Sequence, residues 1–199
     1  MDWKPIENIA LFDLDGTLAD FDLAMKRDMV EIATPGEEKI DPWDRSKPWI
    51  KARKSLIMRQ PGWWARLEPF QLGFDILEMI LKMNFEIHVL TKGPSASAIA
   101  WGEKVEWCKQ HLDKEVKITI TEDKGLVYGK LLVDDWPKYI ERWLKWRPRG
   151  LVIMPAHEHN KDFTHPNVIR YDGSSESYHE CGIAVNKIMA RKAGQELKI

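Results

Sequence analysis

The sequence predicts an α/β fold, a Rossmann-like three-layer sandwich built around a central parallel sheet. The apolar run Ile9-Ala10-Leu11-Phe12 is typical of a strand that is buried on both faces. Further apolar runs alternate along the chain with segments of helical periodicity, which favours parallel strands with helices on both sides. Acidic side chains follow the first run directly, at the end of a strand where open α/β sheets place their chemistry.

Five further runs continue the predicted sheet after the first strand. They span residues 85–90, 116–120, 131–133 and 151–154, with a short late strand at 167–171. Apolar residues recur at helical spacing between them, over 74–81, 99–112 and 139–144. A final helix is expected from Ser174 or Ser175, which can cap it, to about Lys192.

Residues 20–70 interrupt this alternation. Prolines punctuate the segment, and helical patterns cover residues 22–33 and 46–58. We therefore predict a small helical cap inserted after the first strand. The expected division is a core formed by residues 1–19 and 71–199, with residues 20–70 as the cap subdomain.

The composition is that of a soluble globular protein. Of the 199 residues, 44% are hydrophobic and 31% charged, which suits one domain with a small insert. The net charge of −1 gives no reason to expect a stable nucleic-acid partner or a membrane surface. We expect no signal peptide, and the two cysteines are consistent with a reducing cytoplasm. The oligomeric state stays open, with a homodimer as one option.

The first strand leads into Asp13-Leu14-Asp15-Gly16-Thr17. An acidic turn is the simplest interpretation of an Asp-Gly pair. Two carboxylates this close repel each other unless a cation lies between them. Because the pair follows a buried strand and precedes Thr17, we favour a metal site that carries a carboxylate nucleophile.

Three more polar groups lie at or beside predicted strand ends. Thr91 follows the second strand, Lys124 precedes the fourth, and Asp134-Asp135 ends the fourth. Taken singly, a threonine there can simply cap a helix and a lone lysine is usually solvated. Adjacent acids at a strand terminus are suited to binding a cation.

In order along the chain, these four pieces resemble the motif set of the haloacid dehalogenase-like phosphatase superfamily. The resemblance covers residues 9–137 and implies that Asp13 is the phosphoryl-accepting nucleophile and Asp15 the general acid and base. It implies that Thr91, Lys92 and Lys124 bind phosphate. It also implies that Mg²⁺ is the cofactor, with the metal ligands drawn from Asp13, Asp15, Asp134 and Asp135.

Two segments resemble the 5′(3′)-deoxyribonucleotidases more narrowly. These are Asp15-Gly16-Thr17-Leu18-Ala19-Asp20-Phe21 and Pro61-Gly62-Trp63-Trp64-Ala65-Arg66-Leu67-Glu68-Pro69. The resemblance implies a nucleotide substrate whose base meets Phe21, Trp43 and Met58, whereas Trp63 and Trp64 are expected to be packing residues. Lys92 and Glu122 depart from the family pattern, which leaves the preferred base and sugar open.

The leading hypothesis is a magnesium-dependent nucleotidase that works through a phosphoaspartate. Two alternatives stay open: a phosphatase of another small ester or of nucleic-acid 3′ ends, and a phosphate-binding protein without catalysis. His157, His159 and His165 match no common zinc spacing, and we expect them in a solvated loop. The basic stretch from Lys138 to Arg149 is expected to be a solvated helix face.

Overall fold

A computed structural model describes residues 8–38, 40–44, 46–95 and 97–190. Within these residues, six strands form one sheet in the order β3-β2-β1-β4-β5-β6, and each neighbouring pair is parallel. The fold class predicted from the sequence is therefore confirmed. The strands are β1 (Ile9–Phe12), β2 (Glu86–Lys92), β3 (Lys117–Thr121), β4 (Leu131–Val133), β5 (Leu151–Pro155) and β6 (Val168–Tyr171).

Helices connect the strands in the predicted positions. The last helix ends the described part of the chain, so its predicted residues 191 and 192 lie outside it. No helix among the described residues is long and apolar enough to cross a membrane. The helices are α1 (Phe21–Glu31), α2 (Pro48–Met58), α3 (Gln71–Lys82), α4 (Ala98–His111), α5 (Pro137–Trp146) and α6 (Ser175–Ala190), with short 3₁₀ turns at Trp64–Arg66, Lys124–Leu126 and Glu158–Asn160.

Side chains from the central strands pack on both faces of the sheet. In β1, Phe12 belongs to the larger apolar cluster, whereas its neighbour Leu11 joins a second cluster with Trp143 of α5. Because successive side chains of a strand point to opposite faces, this alternation gives each face its own apolar core. The arrangement explains why β1 is a continuous apolar run rather than an alternating one.

The segment between β1 and α3 carries α1 and α2, which contact each other. Phe21 begins α1, and its ring lies 5.3 Å from that of Trp63 and 5.6 Å from that of Trp64, between centroids. Glu103 of α4 accepts hydrogen bonds from the backbone amides of Gly62 and Trp64, at 2.6 and 3.1 Å. These bonds fasten the end of the segment to the core. The cap boundaries at residues 20 and 70 stay a prediction.

Candidate active site

The residues singled out by the motifs meet at the carboxyl edge of the sheet. Asp13 follows β1 and Asp134-Asp135 follow β4, and these two strands are neighbours. A cavity of about 380 Å³ opens above them. It is lined by Asp13, Asp15, Gly16, Phe21, Asp22, Trp43, Trp64, Lys92, Pro94, Ser95, Lys104, Asp135, Trp136, Tyr139 and His159.

A tight turn holds the first motif against Asp135. Gly16 has a φ of 79°, in the left-handed region that favours glycine, and its amide bonds the Ala19 carbonyl at 2.8 Å. A Cβ at Gly16 would lie 2.6 Å from Oδ2 of Asp135. Glycine is therefore required for the turn and for the close approach of the two acidic loops.

Three buried carboxylates and one ammonium group form the centre of the site. One ligand atom each from Asp13, Asp134 and Asp135 lies within 4.8 Å of the others. Lys124 Nζ lies 2.8 Å from Asp13 Oδ1 and 2.6 Å from Asp134 Oδ2. Burial raises the pKa of Asp13 to about 8, with the neighbouring carboxylates adding to the rise and Lys124 opposing it. One lysine does not balance three acids, so the donor set suits a hard divalent cation.

Lys124 is held in its charged form despite being almost fully buried. Burial lowers the pKa of its ammonium group, but the facing Asp13 and Asp134 outweigh that effect and raise it above its ordinary value. The side chain is 1% exposed. The site therefore contains a fixed positive charge directly beside the predicted nucleophile.

A second buried lysine, which the sequence analysis did not identify, faces Asp15. Lys104 Nζ donates to Asp15 Oδ2 at 2.5 Å, to the Lys92 carbonyl at 2.7 Å and to Thr91 Oγ1 at 3.2 Å. It also lies 4.7 Å from the ring centroid of Trp64. The available signal was its place on the buried stripe of α4, four residues after Ala100, where an apolar residue is expected.

The structure places the two other predicted phosphate ligands near this lysine. Thr91 is fully buried at the end of β2, where its hydroxyl accepts from Lys104. Lys92 lines the cavity, with Nζ 5.6 Å from the ring centroid of Tyr139. No observation tests their contact with phosphate, so that role stays a prediction.

The predicted base pocket is brought together only in part. Phe21 and Trp43 line the cavity, with ring centroids 6.0 Å apart. Met58 packs against the hydrophobic core instead, and its carbonyl accepts a hydrogen bond from Trp64 Nε1 at 3.0 Å. Trp64, which was expected only to pack, also lines the cavity. The aromatic wall therefore comprises Phe21, Trp43 and Trp64, and its contact with a base stays a prediction.

The comparison with protein families gives a match over most of this chain. The model of the cytosolic type C family of deoxy (pyrimidine) 5′-nucleotidases matches residues 7–180. The chain belongs to this family. It is therefore a phosphomonoesterase of the nucleotidase type.

Individual relatives of this nucleotidase are distant. A Bordetella bronchiseptica protein that is named as a 5′(3′)-deoxyribonucleotidase is 27% identical over 165 residues, which cover 78% of this chain and 87% of the relative's length. The human cytosolic-type 5′(3′)-deoxyribonucleotidase is 28% identical over 162 residues, covering 75% and 76%. A solved haloacid dehalogenase-like hydrolase from Burkholderia xenovorans matches with a TM-score of 0.51 at 17% identity, over 84% of this chain and 93% of its own. That likeness supports the fold.

Two histidines of the nucleotidase lie beside the acidic centre, so the prediction of a solvated loop was wrong for them. His157 Nε2 lies 2.6 Å from the Gly16 carbonyl, and His159 Nε2 lies 3.0 Å from Asp135 Oδ2. Both side chains are largely buried. Their partners are 141 and 24 residues away along the chain, so local spacing gave no sign of them.

Proposed function

We propose that this protein is a magnesium-dependent 5′(3′)-deoxyribonucleotidase that dephosphorylates nucleoside monophosphates through a phosphoaspartate. The observation that carries the proposal is the buried cluster in which Lys124 bridges Asp13 and Asp134, with Asp135 beside them, under a cavity with aromatic walls. Family membership and the names of the relatives support the same substrate class.

In this mechanism Asp13 attacks the phosphorus atom. Its Oδ1 is oriented by Lys124 Nζ and by the Leu14 amide at 2.7 Å, which leaves Oδ2 for the new bond. As the bond from phosphorus to the sugar oxygen breaks, Asp15 gives that oxygen a proton. Asp15 then takes a proton from the water that hydrolyses the phosphoaspartate. Its Oδ1 is buried without a hydrogen-bond partner among the described residues, which suits a group that exchanges protons with substrate and water.

The residues that would hold Mg²⁺ are Asp13, Asp135 and the carbonyl of Asp15, with Asp134 in support. When bound, the ion would neutralise the clustered acids and the charge on the transferring phosphoryl group. Asp134 accepts from Lys124 and from the Trp136 amide at 2.9 Å, so its carboxylate is already engaged. It therefore serves to position the loop and the lysine.

The cavity has the features that a nucleotide needs. Its volume lies within the range of small-molecule sites, about 300–1,000 Å³. The side chains of Phe21, Trp43 and Trp64 offer flat faces on which a base can stack. Lys92 and Lys104 add positive charge on the side of the cavity where the phosphate would lie. A compact sugar phosphate would leave the aromatic faces uncovered.

We place the protein in the cytoplasm, in line with the cytosolic-type human relative. Its two cysteines, Cys108 and Cys181, are buried free thiols, and burial raises the pKa of each to about 12. They are therefore unreactive. We propose a small-molecule nucleotide as the partner, without a stable nucleic-acid or membrane partner.

The proposal is tested with a panel of nucleoside monophosphates, sugar phosphates and 3′-phosphorylated oligonucleotides in the presence of Mg²⁺. Deoxynucleoside monophosphates should be the best substrates, and Asp13→Asn should abolish turnover. Asp162→Asn, a change at an exposed acid, is the matched control. Near-normal activity of Asp13→Asn would overturn the mechanism. A preference for sugar phosphates or oligonucleotides would overturn the substrate, and binding without turnover would favour a phosphate-binding protein.

Removing the metal gives an independent test. Chelation should abolish activity reversibly, because the buried acids of the site repel one another without a cation. Full activity after exhaustive chelation would refute the magnesium requirement.

A further inference from the structure

A second group of potential metal ligands lies between α1 and the loop that follows β5. One ligand atom each from Asp22, His157 and His159 lies within 4.8 Å of the others. Two imidazoles and one carboxylate are a donor set found in catalytic zinc and non-haem iron sites. The carboxylates beneath the cavity are hard oxygen donors and favour Mg²⁺, whereas this set favours a softer transition metal.

The hydrogen bonds of His157 determine which of its ring nitrogens is available to bind a metal ion. Nε2 lies 2.6 Å from the Gly16 carbonyl, which can only accept, so Nε2 carries a proton. Nδ1 therefore faces Asp22 Oδ2, which is 3.5 Å away, with a lone pair when the ring is neutral. A lone pair against a carboxylate is unfavourable unless a proton or a cation lies between them. Two ligands across a tetrahedral zinc ion lie about 3.3 Å apart, close to the observed separation.

The hydrogen bonds of His159 hold its ring in the same kind of arrangement. Its Nε2 lies 3.0 Å from Asp135 Oδ2 and 3.1 Å from the Asp135 carbonyl, and both oxygens act as acceptors. Nδ1 is therefore the nitrogen that keeps a lone pair when the ring is neutral. A histidine ligand that donates its other N–H to a carbonyl or carboxylate is the usual outer-shell arrangement at metal centres. Both histidines have it here.

The surroundings fix both imidazole rings. The His157 ring contacts the rings of Phe70 and His159, with centroids 4.8 and 5.0 Å away, and the centroid of the Trp136 ring lies 4.8 Å from that of His159. Below them, the buried Asn160 side chain donates to the Asp135 and Pro155 carbonyls at 3.0 and 2.9 Å. The loop is thereby held in place before any ion binds, as a selective metal site requires.

We propose that Asp22, His157 and His159 form a second metal site, selective for zinc or a similar transition metal and distinct from the magnesium site. It would connect the first helix after the catalytic turn to the loop after β5. Asp22 and His159 also line the active-site cavity, so a coordination position left open would face it. The proposal does not depend on the nucleotidase reaction.

The test uses the 199-residue chain saturated with Mg²⁺ and titrated with Co²⁺, whose visible absorption reports nitrogen ligation. Wild-type protein should bind one Co²⁺ per chain, and excess Zn²⁺ should displace it. Asp22→Asn and His157→Gln should each weaken binding at least tenfold, by the scale of ligand-shell changes at metal sites. His179→Gln, a change at an exposed histidine of α6, is the matched control, and Asp13→Asn should still bind Co²⁺.

A second measurement uses only the wild-type chain, so the proposal can be tested even if the variants do not fold. Zn²⁺ added to the Mg²⁺-saturated protein should shift the ¹⁵N resonances of two of its six histidine rings. The proposal would be overturned if no Co²⁺ band forms, if His157→Gln binds as His179→Gln does, or if binding is lost only in Asp13→Asn. In those cases a proton occupies the gap between His157 and Asp22.

Discussion

The buried ammonium group of Lys104 is expected to be essential to both activity and stability. Lys104→Met keeps the length and packing of the side chain but removes the charge that faces Asp15. Removing one partner of a buried ion pair costs about 3–5 kcal/mol, and less where water can replace it. Because the Asp15 side chain is 24% exposed, we expect a loss of about 2–3 kcal/mol of folding free energy. At roughly 2–4 °C per kcal/mol for a domain of this size, the melting temperature should fall by about 4–12 °C.

The effect on turnover should be larger than the loss of folded protein can explain. Removing one fixed donor that stabilises developing charge typically lowers the rate by about 10²–10³-fold. We therefore expect kcat/KM for a deoxynucleoside 5′-monophosphate to fall by about that factor, measured below the melting transition. Lys109→Met, an exposed change on the same helix, is the control. If Lys104→Met stays within threefold of the control, the ammonium group takes no part in the site.

Three further predictions follow from single contacts. Phe21→Ala should raise KM for nucleoside monophosphates at least fivefold more than for p-nitrophenyl phosphate, because base stacking contributes about 1–3 kcal/mol; equal losses on both would mean that the ring only packs. Gly73→Ala should lower the melting temperature, since its Cβ would lie 1.7 Å from the Thr17 carbonyl oxygen, and an unchanged melting curve would contradict that contact. The hydrogen bonds from Arg53 hold the pKa of Glu37 at about 2, below its usual 4.5, so the pair stabilises the fold above pH 4.5 and loses that effect as the pH falls through about 2. Arg53→Gln should lower the urea midpoint at pH 6 more than at pH 2, and a pH-independent difference would argue against the ion pair.

The sheet and the acidic centre could be predicted from local sequence patterns alone. β1 was predicted with its observed bounds because a strand buried on both faces must be apolar throughout, and that requirement is visible in consecutive residues. Asp13 and Asp15 belong to one turn, so their proximity follows from chain connectivity. Asp134-Asp135 could be added because strands of a parallel sheet end at the same edge.

The other side chains around the acidic centre could be identified only once the packing of remote segments was known. Lys104 reaches Asp15 across 89 residues, and His157 reaches Gly16 across 141. Neither contact corresponds to a periodicity or a residue spacing that could be recognised in the sequence. Trp64 was expected to pack, and it does so while one part of it also borders the cavity. The sequence shows which chemical groups a residue carries. The distance between residues on remote segments depends on how helices and loops pack on the sheet, and no local sequence pattern predicts that packing.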